Sequence, residues 1–500
     1  MPDGFRTLLL KFVTFAFRAI ILREMAMRTL LLNPPSYAGF DGGAGSRYQA
    51  RREIRSFWYP TWLAYPAGLI PESRLVDAPA DDLSRDDVIR LAEGYDLIVM
   101  STSTPTISHD VGMAVALKKE YPHVRIGLVG PHPMVLPMET MAMSEALDFV
   151  TTGEYDYTLA EIADGVPLHR VRGIVFRSDG DLVRTPDRPL IEDLDALPFV
   201  SRIYARDLTI KNYYNGYLLH PYVSLYTGRG CRARCTYCLW PQTISGHAYR
   251  VRSVENVYEE MVLARQLFPQ VKEFFFDDDT LTQDTARVEK LARRIKPLEI
   301  TWSCNARANV KKETLKVMKE SGLRLLTVGF ESGNQKILDK MKKGINPGQA
   351  REFVKAAKEL GILVHGAFIL GLPGETKETI EETLRYALEL DPYSIQVSLV
   401  APYPGTEMYE QGIKEGWIVR AGEQLLKDGI QNVAVSYDGL SREYIFEAVE
   451  RFYRRFYFRP RPILRMMREM LHDRHIFIRR MREGAEFFSF MAKRKEVVQS

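Results

Sequence analysis

Three of the four cysteines in this 500-residue chain lie within eight consecutive positions, and this cluster restricts the possible folds more than any other feature. Cys231, Cys235 and Cys238 form the spacing C-x3-C-x2-C inside the segment YTGRGCRARCTYCLWPQ. They are too close together to join separate elements by disulfides, which favours a reducing compartment. Zinc would require a fourth ligand, and the nearby His247 lies nine residues beyond the last cysteine. We expect Cys304, the remaining cysteine, to be a small buried residue.

A loop that supplies three thiolates suits a cubane iron–sulfur cluster, which binds cysteine thiolates. With three ligands for four irons, one iron keeps an open coordination position for a substrate or a cofactor. Glycines and arginines around the cysteines suit a loop that wraps an anionic cluster: Gly228, Arg229, Gly230, Arg232 and Arg234. A zinc knuckle or three buried thiols are the structural alternatives.

The chain is too long for a single hydrophobic core, since single cores stop growing at roughly 250–300 residues. Its hydrophobic share of 46% and charged share of 26% are typical of a globular protein. Short apolar runs alternate with helical patterns in the first third, which predicts a doubly wound parallel sheet. The apolar runs fall at 28–33, 74–79, 95–103, 124–130 and 147–153.

A second strand–helix alternation starts near residue 220, and its strands are expected to end near 227, 277, 304, 331, 371 and 401. Six units predict a partial (β/α)6 barrel of the TIM type, with its active site at the carboxyl ends of the strands. A predicted hairpin at 171–187 separates the two halves. The α/β chain is thus divided into five parts: an extension (1–26), the doubly wound domain (27–167), the hairpin and linker (168–204), the barrel (205–440) and a basic helical region (441–500).

The strand ends of the first domain form a second candidate site. Ligands of doubly wound sheets bind beyond the carboxyl ends of the strands. Small, hydroxylated or turn-forming residues occupy these positions and permit close approach of a large polar ligand: Ser101, Thr102, Ser103, Gly130 and Gly153.

The cysteine spacing directly after the first barrel strand resembles the radical S-adenosylmethionine (SAM) superfamily. Five further segments resemble its later strands in the same order: FFFDDDTLT (274–282), WSCNARAN (302–309), VGFESGNQKIL (328–338), GAFILGLPGET (366–376) and SLVAPYPGTEMY (398–409). The resemblance implies a 4Fe–4S cluster on the three cysteines that cleaves SAM to a 5′-deoxyadenosyl radical. It also implies that SAM is contacted by Tyr237, Asp278, Asp279, Arg307, Glu331 and Ile369. Taken alone, GLPGET is an ordinary helix-entry turn, with Glu375 or Thr376 as the cap.

The doubly wound domain resembles the cobalamin-binding class of this superfamily. VGPHPMVLPME (129–139) is similar to a Gly-Gly-Pro-His segment of that class, so the strand-end residues above would lie along cobalamin. The D-x-H-x-x-G motif, which supplies an axial histidine, is absent, since NPPSYAGFDGGAGSRYQ (33–49) has no histidine. Cobalamin therefore binds without that ligand, or the domain has lost it and serves as a lid. We interpret His109 and His132 as loop residues rather than cobalt ligands.

From Met27 onward the chain resembles hopanoid-biosynthesis radical SAM proteins of the HpnJ type. The resemblance implies contraction of a hopanoid-linked amino sugar to a five-membered carbocycle, as part of cyclitol ether head-group formation. The implied partners are a hopanoid head group and an electron donor such as a ferredoxin or flavodoxin. A cobalamin-dependent radical SAM methyltransferase acting on a lipid or other small molecule is the alternative. A non-catalytic iron–sulfur scaffold is the third hypothesis.

Both ends of the chain are unusual. Residues 1–24 are basic and apolar, but Lys11 and Arg18 interrupt the apolar run that a membrane span requires. We interpret this segment either as an interfacial helix or as a mis-assigned extension before a true start at Met25 or Met27. Beyond residue 440 arginines alternate with aromatics, which favours an anionic membrane surface over a helix packed on the barrel. Nucleic acid is not an expected partner. We expect a cytoplasmic protein with peripheral contact at the inner face of the membrane.

Overall fold

The structure is a computed structural model that describes residues 26–35, 52–472 and 474–499. The predictions for residues 1–24 and for most of the segment that lacks the histidine motif lie outside the described residues. Two mainly parallel sheets dominate the described part of the chain, which confirms the predicted α/β class.

Seven strands form the first sheet in the order β2-β1-β3-β4-β5-β6-β7. They are β1 Thr29–Asn33, β2 Ser73–Asp77, β3 Leu97–Ser101, β4 Arg125–Val129, β5 Phe149–Thr151, β6 Ile174–Ser178 and β7 Asp181–Arg184. The five parallel strands coincide with the five predicted apolar runs. The predicted hairpin is also present, but it belongs to this sheet rather than to a separate linker, because β6 pairs antiparallel with β5. This pairing covers an edge that would otherwise expose unpaired backbone groups.

Helices cover both faces of the first sheet. They are α1 Thr61–Leu69, α2 Arg85–Leu91, α3 Ile107–Glu120, α4 Pro131–Val135, α5 Pro137–Ala142, α6 Asp156–Ala163 and α7 Val200–Asp207. Leu30 and Leu32 face one core with α2 and α3, whereas Leu31 faces a core that continues into the barrel. Burial on both faces explains why these strands are continuously apolar.

Six parallel strands form the second sheet in the order β15-β14-β13-β12-β11-β8, which is the predicted partial barrel. The strands of this half are β8 Tyr222–Leu225, β9 Gly228–Arg229, β10 Arg250–Val251, β11 Glu273–Phe276, β12 Trp302–Ala306, β13 Leu323–Glu331, β14 Leu363–Leu370, β15 Ser394–Leu399, β16 Leu426–Lys427 and β17 Ile430–Gln431. The short pairs β9–β10 and β16–β17 are separate two-stranded ribbons. The barrel strands end close to the predicted positions, so the cysteine loop follows the first of them.

Helices connect the barrel strands. They are α8 Leu239–Thr243, α9 Val254–Leu267, α10 Thr285–Ile295, α11 Lys312–Glu320, α12 Gln335–Lys340, α13 Pro347–Glu359, α14 Lys377–Leu390 and α15 Glu407–Glu415. Side chains that accept a backbone N–H define several of their starts, including Ser253, Asp284 and Asn346. Thr376 caps α14 in a capping box with Thr379, which confirms the helix-entry interpretation of GLPGET.

Three helices complete the chain: α16 Arg442–Tyr457, α17 Pro460–His472 and α18 Arg474–Gln499. The aromatics of α16 pack on the barrel, with Phe452 and Tyr453 buried, and the Tyr453 hydroxyl accepts a hydrogen bond from the Val397 N–H at 2.9 Å. The structure therefore confirms for α16 the alternative of a helix packed on the barrel. In contrast, α17 and α18 expose many apolar side chains. No helix among the described residues is long and apolar enough to cross a membrane.

Candidate active site

The cysteine loop is held in shape by one amide side chain. Gln242 on α8 donates from Nε2 to the carbonyl oxygens of Cys235, Thr236 and Cys238, at 3.2, 3.1 and 2.8 Å. Its Oε1 accepts the Glu407 N–H at 2.9 Å, which ties the loop to the start of α15. These bonds hold the loop in a tight turn around the Gln242 side chain. Cys231 and Cys235 are buried, and Cys238 is half-buried. Sequence reasoning did not single out Gln242.

Two carboxylates anchor the same loop from the end of β11. Asp278 is fully buried and accepts hydrogen bonds from the Thr227 N–H and hydroxyl, at 2.6 and 2.7 Å. Asp279 accepts from the Gly230 N–H at 3.1 Å and from the Ser245 hydroxyl at 2.9 Å. Burial raises the pKa of Asp278, against the opposing effects of Arg287 and Thr227. The contacts place both residues under the cysteine loop, so we propose that they position it, and direct SAM contact stays a prediction.

Three of the residues expected around SAM come together beside the cysteine loop, with a fourth residue that the sequence did not reveal. The Tyr237 hydroxyl and the Lys343 ammonium donate to Oε1 of Glu331, at 3.0 and 2.7 Å. A guanidinium nitrogen of Arg307 donates to the carbonyl oxygen of Lys343. Burial, the largest single effect, disfavours the charge of Lys343, but Glu331 and Cys235 together outweigh it, so the pKa of Lys343 is raised. A carboxylate next to two cations suits the amino and carboxylate groups of SAM.

Lys343 carries no signal that separates it from its neighbours in the sequence. It follows α12 in the segment MKKGIN, and both lysines there fit a solvated helix end. The structure separates them, because Lys342 pairs with Glu407 at the surface while Lys343 is buried.

A backbone irregularity at the end of β13 directs Glu331 into the site. Glu331 has a φ of 61°, a backbone conformation that residues other than glycine rarely adopt. The register with β14 shifts between Gly329 and Glu331. A Cβ at Gly329 would lie 2.1 Å from Oε1 of Glu331, so glycine is needed there to make room for the carboxylate.

The inside of the barrel is open rather than filled. Inward positions remain partly exposed between buried outward neighbours on three adjacent strands: Thr327, Gly329, Ala367, Ile369, Gln396 and Ser398. Barrels with packed interiors fill this space with layered side chains. The Ser224 hydroxyl is buried and has no hydrogen-bond partner in the described part of the chain. The interior can therefore hold a bound molecule, and Ile369, which is predicted to contact SAM, lies on its wall.

A buried ion cluster fixes the edge of the first sheet against the cysteine loop. Arg229 on β9 donates two hydrogen bonds to Asp156, at 2.8 and 2.9 Å, and one to Glu154 at 3.3 Å. Its guanidinium lies over the rings of Trp62 and Tyr65, at 4.5 and 4.7 Å. Because the two acidic residues follow β5, this contact brings the strand ends of the first sheet to the mouth of the barrel.

The strand ends of the first sheet offer unused polar groups and free space. The hydroxyls of Thr151 and Thr152 at the end of β5 are buried without a partner among the described residues. A Cβ at Gly153 would meet nothing within 4 Å, whereas at Gly130, whose φ is 119°, it would lie 2.2 Å from the Thr102 carbonyl oxygen. This edge fits a large polar cofactor such as cobalamin.

Two other residues predicted there are engaged within the protein. The Thr102 hydroxyl donates to Asp110 at 2.7 Å, and the Ser103 hydroxyl lies 3.1 Å from that of Thr106. Ser101 is buried at the end of β3. Thr102 therefore shapes the edge through Asp110, and direct contact between these residues and cobalamin stays a prediction.

The two histidines near this edge lie in helices, so their interpretation as loop residues is wrong. His109 belongs to α3, and its Nε2 lies 3.2 Å from the carbonyl oxygen of Pro35. His132 belongs to α4, which starts directly after β4, and its Nδ1 lies 3.1 Å from the Thr104 hydroxyl.

The donor set of the cysteine loop fits a cluster better than a single ion. Among the described residues, no group of three or more His, Cys, Asp or Glu side chains is arranged to hold one metal ion. A cubane instead needs three thiolates on three different irons. His247 lies beside the loop, with its Nδ1 3.0 Å from the Cys231 carbonyl oxygen. Cys304 is fully buried on β12, as expected, and burial raises its pKa.

Comparison with known proteins agrees with this arrangement. Residues 225–387 match the model of the radical SAM superfamily, and residues 50–163 match that of the B12 binding domain. An uncharacterized methyltransferase of Pyrococcus horikoshii is 30% identical over 451 residues, covering 88% of this chain and 94% of that protein. The cytidylyl-2-hydroxyethylphosphonate methyltransferase of Streptomyces wedmorensis is 28% identical, covering 86% of this chain and 90% of that protein.

A solved structure shares the whole architecture. The radical SAM methyltransferase TsrM of Kitasatospora setae, with cobalamin and a 4Fe–4S cluster bound, superposes with a TM-score of 0.66 at 15% identity. The match covers 93% of this chain and all of that one. Fold, cysteine loop and family matches agree: the chain belongs to the radical SAM superfamily, as an enzyme with a B12-binding domain whose cofactors are a 4Fe–4S cluster, SAM and cobalamin.

Proposed function

We propose that this enzyme is a cobalamin-dependent radical SAM methyltransferase that acts on a small molecule or lipid inside the barrel. The relatives described above carry methyltransferase names, which supports this alternative over the sugar ring contraction. The buried Arg229 contact carries the proposal, because it holds the candidate cobalamin edge over the mouth of an open barrel. A methyl donor at that edge would face a substrate in the interior.

When bound, SAM and the cluster supply a radical that removes hydrogen from an unreactive carbon, and cobalamin supplies the methyl group. The chain's own residues provide positions for these groups. Gln242 and Asp279 hold the cysteine loop, and Glu331 with Lys343 binds the amino acid end of SAM. The partly exposed inner walls orient the substrate and exclude bulk water, which limits side reactions.

Product analysis after anaerobic reconstitution tests this proposal. We expect one cobalamin per chain and S-adenosylhomocysteine as a product of turnover. We also expect 5′-deoxyadenosine, whose formation should be lost when Cys231, Cys235 or Cys238 is replaced by alanine. A chain that retains its cluster, binds no cobalamin and forms no S-adenosylhomocysteine would contradict the proposal. We propose a ferredoxin or flavodoxin as the electron donor.

Ring contraction of a hopanoid-linked amino sugar is the second candidate. The large apolar cavity described below favours it, since a lipid-linked sugar needs space for its apolar part. This reaction would yield 5′-deoxyadenosine without S-adenosylhomocysteine. Lipid analysis of a deletion strain separates the two candidates: a glucosamine-bearing hopanoid should accumulate only if the sugar is the substrate.

A further inference from the structure

A cavity of about 420 Å³ lies at the opposite end of the barrel from the cysteine loop. Its lining includes the amino-terminal parts of β14 and β15, the start of the barrel and the three C-terminal helices, with Tyr217, His365, Gln396, Tyr453, Met470 and Phe487 among its residues. Its volume falls within the range of small-molecule sites, about 300–1,000 Å³. The position beside an edge strand places it where a partial barrel is open.

The inner wall of the cavity is polar and tightly organised. His365 is buried, stacks on Tyr217 with ring centroids 4.2 Å apart, and places Nδ1 2.8 Å from the Ser394 hydroxyl. The side chain of Gln396 lies beside the imidazole and hydrogen-bonds with it. Gln396 in turn accepts from Arg52 at 2.6 Å and donates to the Ser398 hydroxyl at 3.2 Å. Burial lowers the pKa of His365 to about 3, assisted by the charge of Arg52 and partly offset by Gln396. The imidazole is therefore neutral and can hydrogen-bond an uncharged oxygen.

The outer wall is mainly apolar and reaches the surface, and its charged residues include Arg480, which pairs with Glu469 and Glu483. Methionines and phenylalanines of α17 and α18 form it, including Met466, Met467, Met481 and Phe488. Methionine side chains adapt to the shape of an apolar ligand. The adjacent helix surface exposes Leu471 by 83% and Phe488 by 61%, next to arginines such as Arg468 and Arg482. Exposed apolar side chains beside arginines suit the surface of a bilayer.

The strands β14 and β15 run from the cavity, which His365 and Gln396 line, toward the site at the cysteine loop. His365, Ala367 and Ile369 occupy successive inward positions of β14, and Gln396 and Ser398 do so on β15. All of them except His365 remain partly exposed. With a rise of about 3.3 Å per residue, the four steps from His365 to Ile369 span roughly 13 Å. An elongated molecule can thus contact both ends of the barrel.

We propose that this cavity binds the apolar body of a lipid taken from a bilayer, whose reacting group extends along β14 and β15 to the cysteine loop. The inference rests on the proposed function, because it names the substrate class of the same barrel. The amide nitrogen of Gln396 donates one hydrogen to Ser398, and its second hydrogen would bind an oxygen near the junction of the lipid's apolar and polar parts.

A pair of glycine substitutions tests occupancy of the cavity in the full chain with its cluster reconstituted. Gly484 on α18 lines the cavity, and a Cβ there would meet nothing within 4 Å, so Gly484→Phe fills the space without a backbone clash. Gly112 on α3 is equally open but lies away from the cavity, which makes Gly112→Phe the matched control. With cis-parinaric acid as fluorescent probe, we expect Gly484→Phe to weaken binding about tenfold or more, and Gly112→Phe to leave it unchanged.

Equal probe binding by both variants, or no binding by the unaltered chain, would overturn the proposal. Binding that appears only after removal of residues 1–24 would overturn it too, because that segment would then be the natural occupant. Gly484→Leu replaces the larger substitution if the phenylalanine variant loses its cluster absorbance. Cobalamin content and substrate-free 5′-deoxyadenosine formation report the proposed function separately, so its failure is distinguishable.

Flotation with vesicles of phosphatidylcholine and phosphatidylglycerol tests the bilayer as the source. Truncation after residue 440 is unsuitable, since α16 contributes buried side chains to the barrel. We instead replace exposed side chains outside the cavity lining, Leu464, Leu471 and Ile478, by glutamate in the full chain. We expect the unaltered chain to float with the vesicles and the triple variant to stay behind; equal flotation of both would overturn the bilayer as source.

Discussion

Replacing Arg229 by methionine should strongly destabilise the contact between the first sheet and the cysteine loop. The Arg229 guanidinium is buried, donates three hydrogen bonds to carboxylates and lies over two aromatic rings. Methionine fills part of the volume but leaves Asp156 buried without its guanidinium partner, while Glu154 keeps Arg250 at 2.8 Å. Removing one partner of a buried ion pair costs about 3–5 kcal/mol in the free energy of unfolding.

Urea unfolding followed by tryptophan fluorescence measures this cost, and cobalamin content reports its local consequence. We expect an earlier midpoint and reduced cobalamin retention, since the end of β5 is no longer held at the barrel. Adding Asp156→Asn should restore part of the loss, because the uncompensated charge is then gone. Arg294→Met, which breaks an exposed pair with Glu255, is the matched control and should change the midpoint little. A shift for Arg229→Met no larger than that of the control would refute the reasoning.

Three further predictions concern single residues. Gln242→Leu removes an amide whose two N–H groups are shared among three carbonyl oxygens of the cysteine loop, a loss of about 2 kcal/mol, so iron bound after reconstitution should fall well below four per chain, and full occupancy would contradict this role. Lys343→Met should weaken SAM binding roughly 10- to 100-fold with the cluster absorbance intact, as measured by equilibrium dialysis, and unchanged affinity would exclude the lysine from the site. Burial raises the pKa of Glu375 from 4.5 to about 8, because the folded protein favours the protonated, neutral carboxyl. The free energy of unfolding is therefore highest below pH 4.5, and this stabilisation is lost as the pH rises through 8. Glu375→Gln should flatten this pH dependence in thermal melts, and an unchanged slope would contradict the assignment.

The strands of both sheets were predictable because each is a short apolar run between helical patterns. The cysteine loop was predictable because three cysteines at close spacing have few uses. The contact between the two halves could not be predicted. The sequence of a hairpin such as β6–β7 does not indicate which other strand it pairs with. The C-terminal aromatics show the same ambiguity, since alternating arginines and aromatics suit both a membrane surface and a helix packed on a barrel.

Side-chain roles in the site depend on contacts between distant segments. Gln242 and Lys343 were missed because their partners lie elsewhere in the chain or are backbone atoms, which no spacing rule reveals. Asp278 and Asp279 were recognised as a pair, but only the structure shows that Thr227 and Gly230 engage them. The open interior was equally hidden, since inward threonines, serines and alanines are compatible with a filled barrel.

Formation of S-adenosylhomocysteine with and without bound cobalamin tests the central claim most directly. The reduced enzyme, reconstituted with its cluster, is incubated with SAM carrying a deuterated methyl group, and the products are quantified by mass spectrometry. The account predicts S-adenosylhomocysteine only from the cobalamin-loaded enzyme, and 5′-deoxyadenosine only from chains with all three clustered cysteines. Equal S-adenosylhomocysteine from loaded and cobalamin-free enzyme, or none from either beside abundant 5′-deoxyadenosine, would contradict the account.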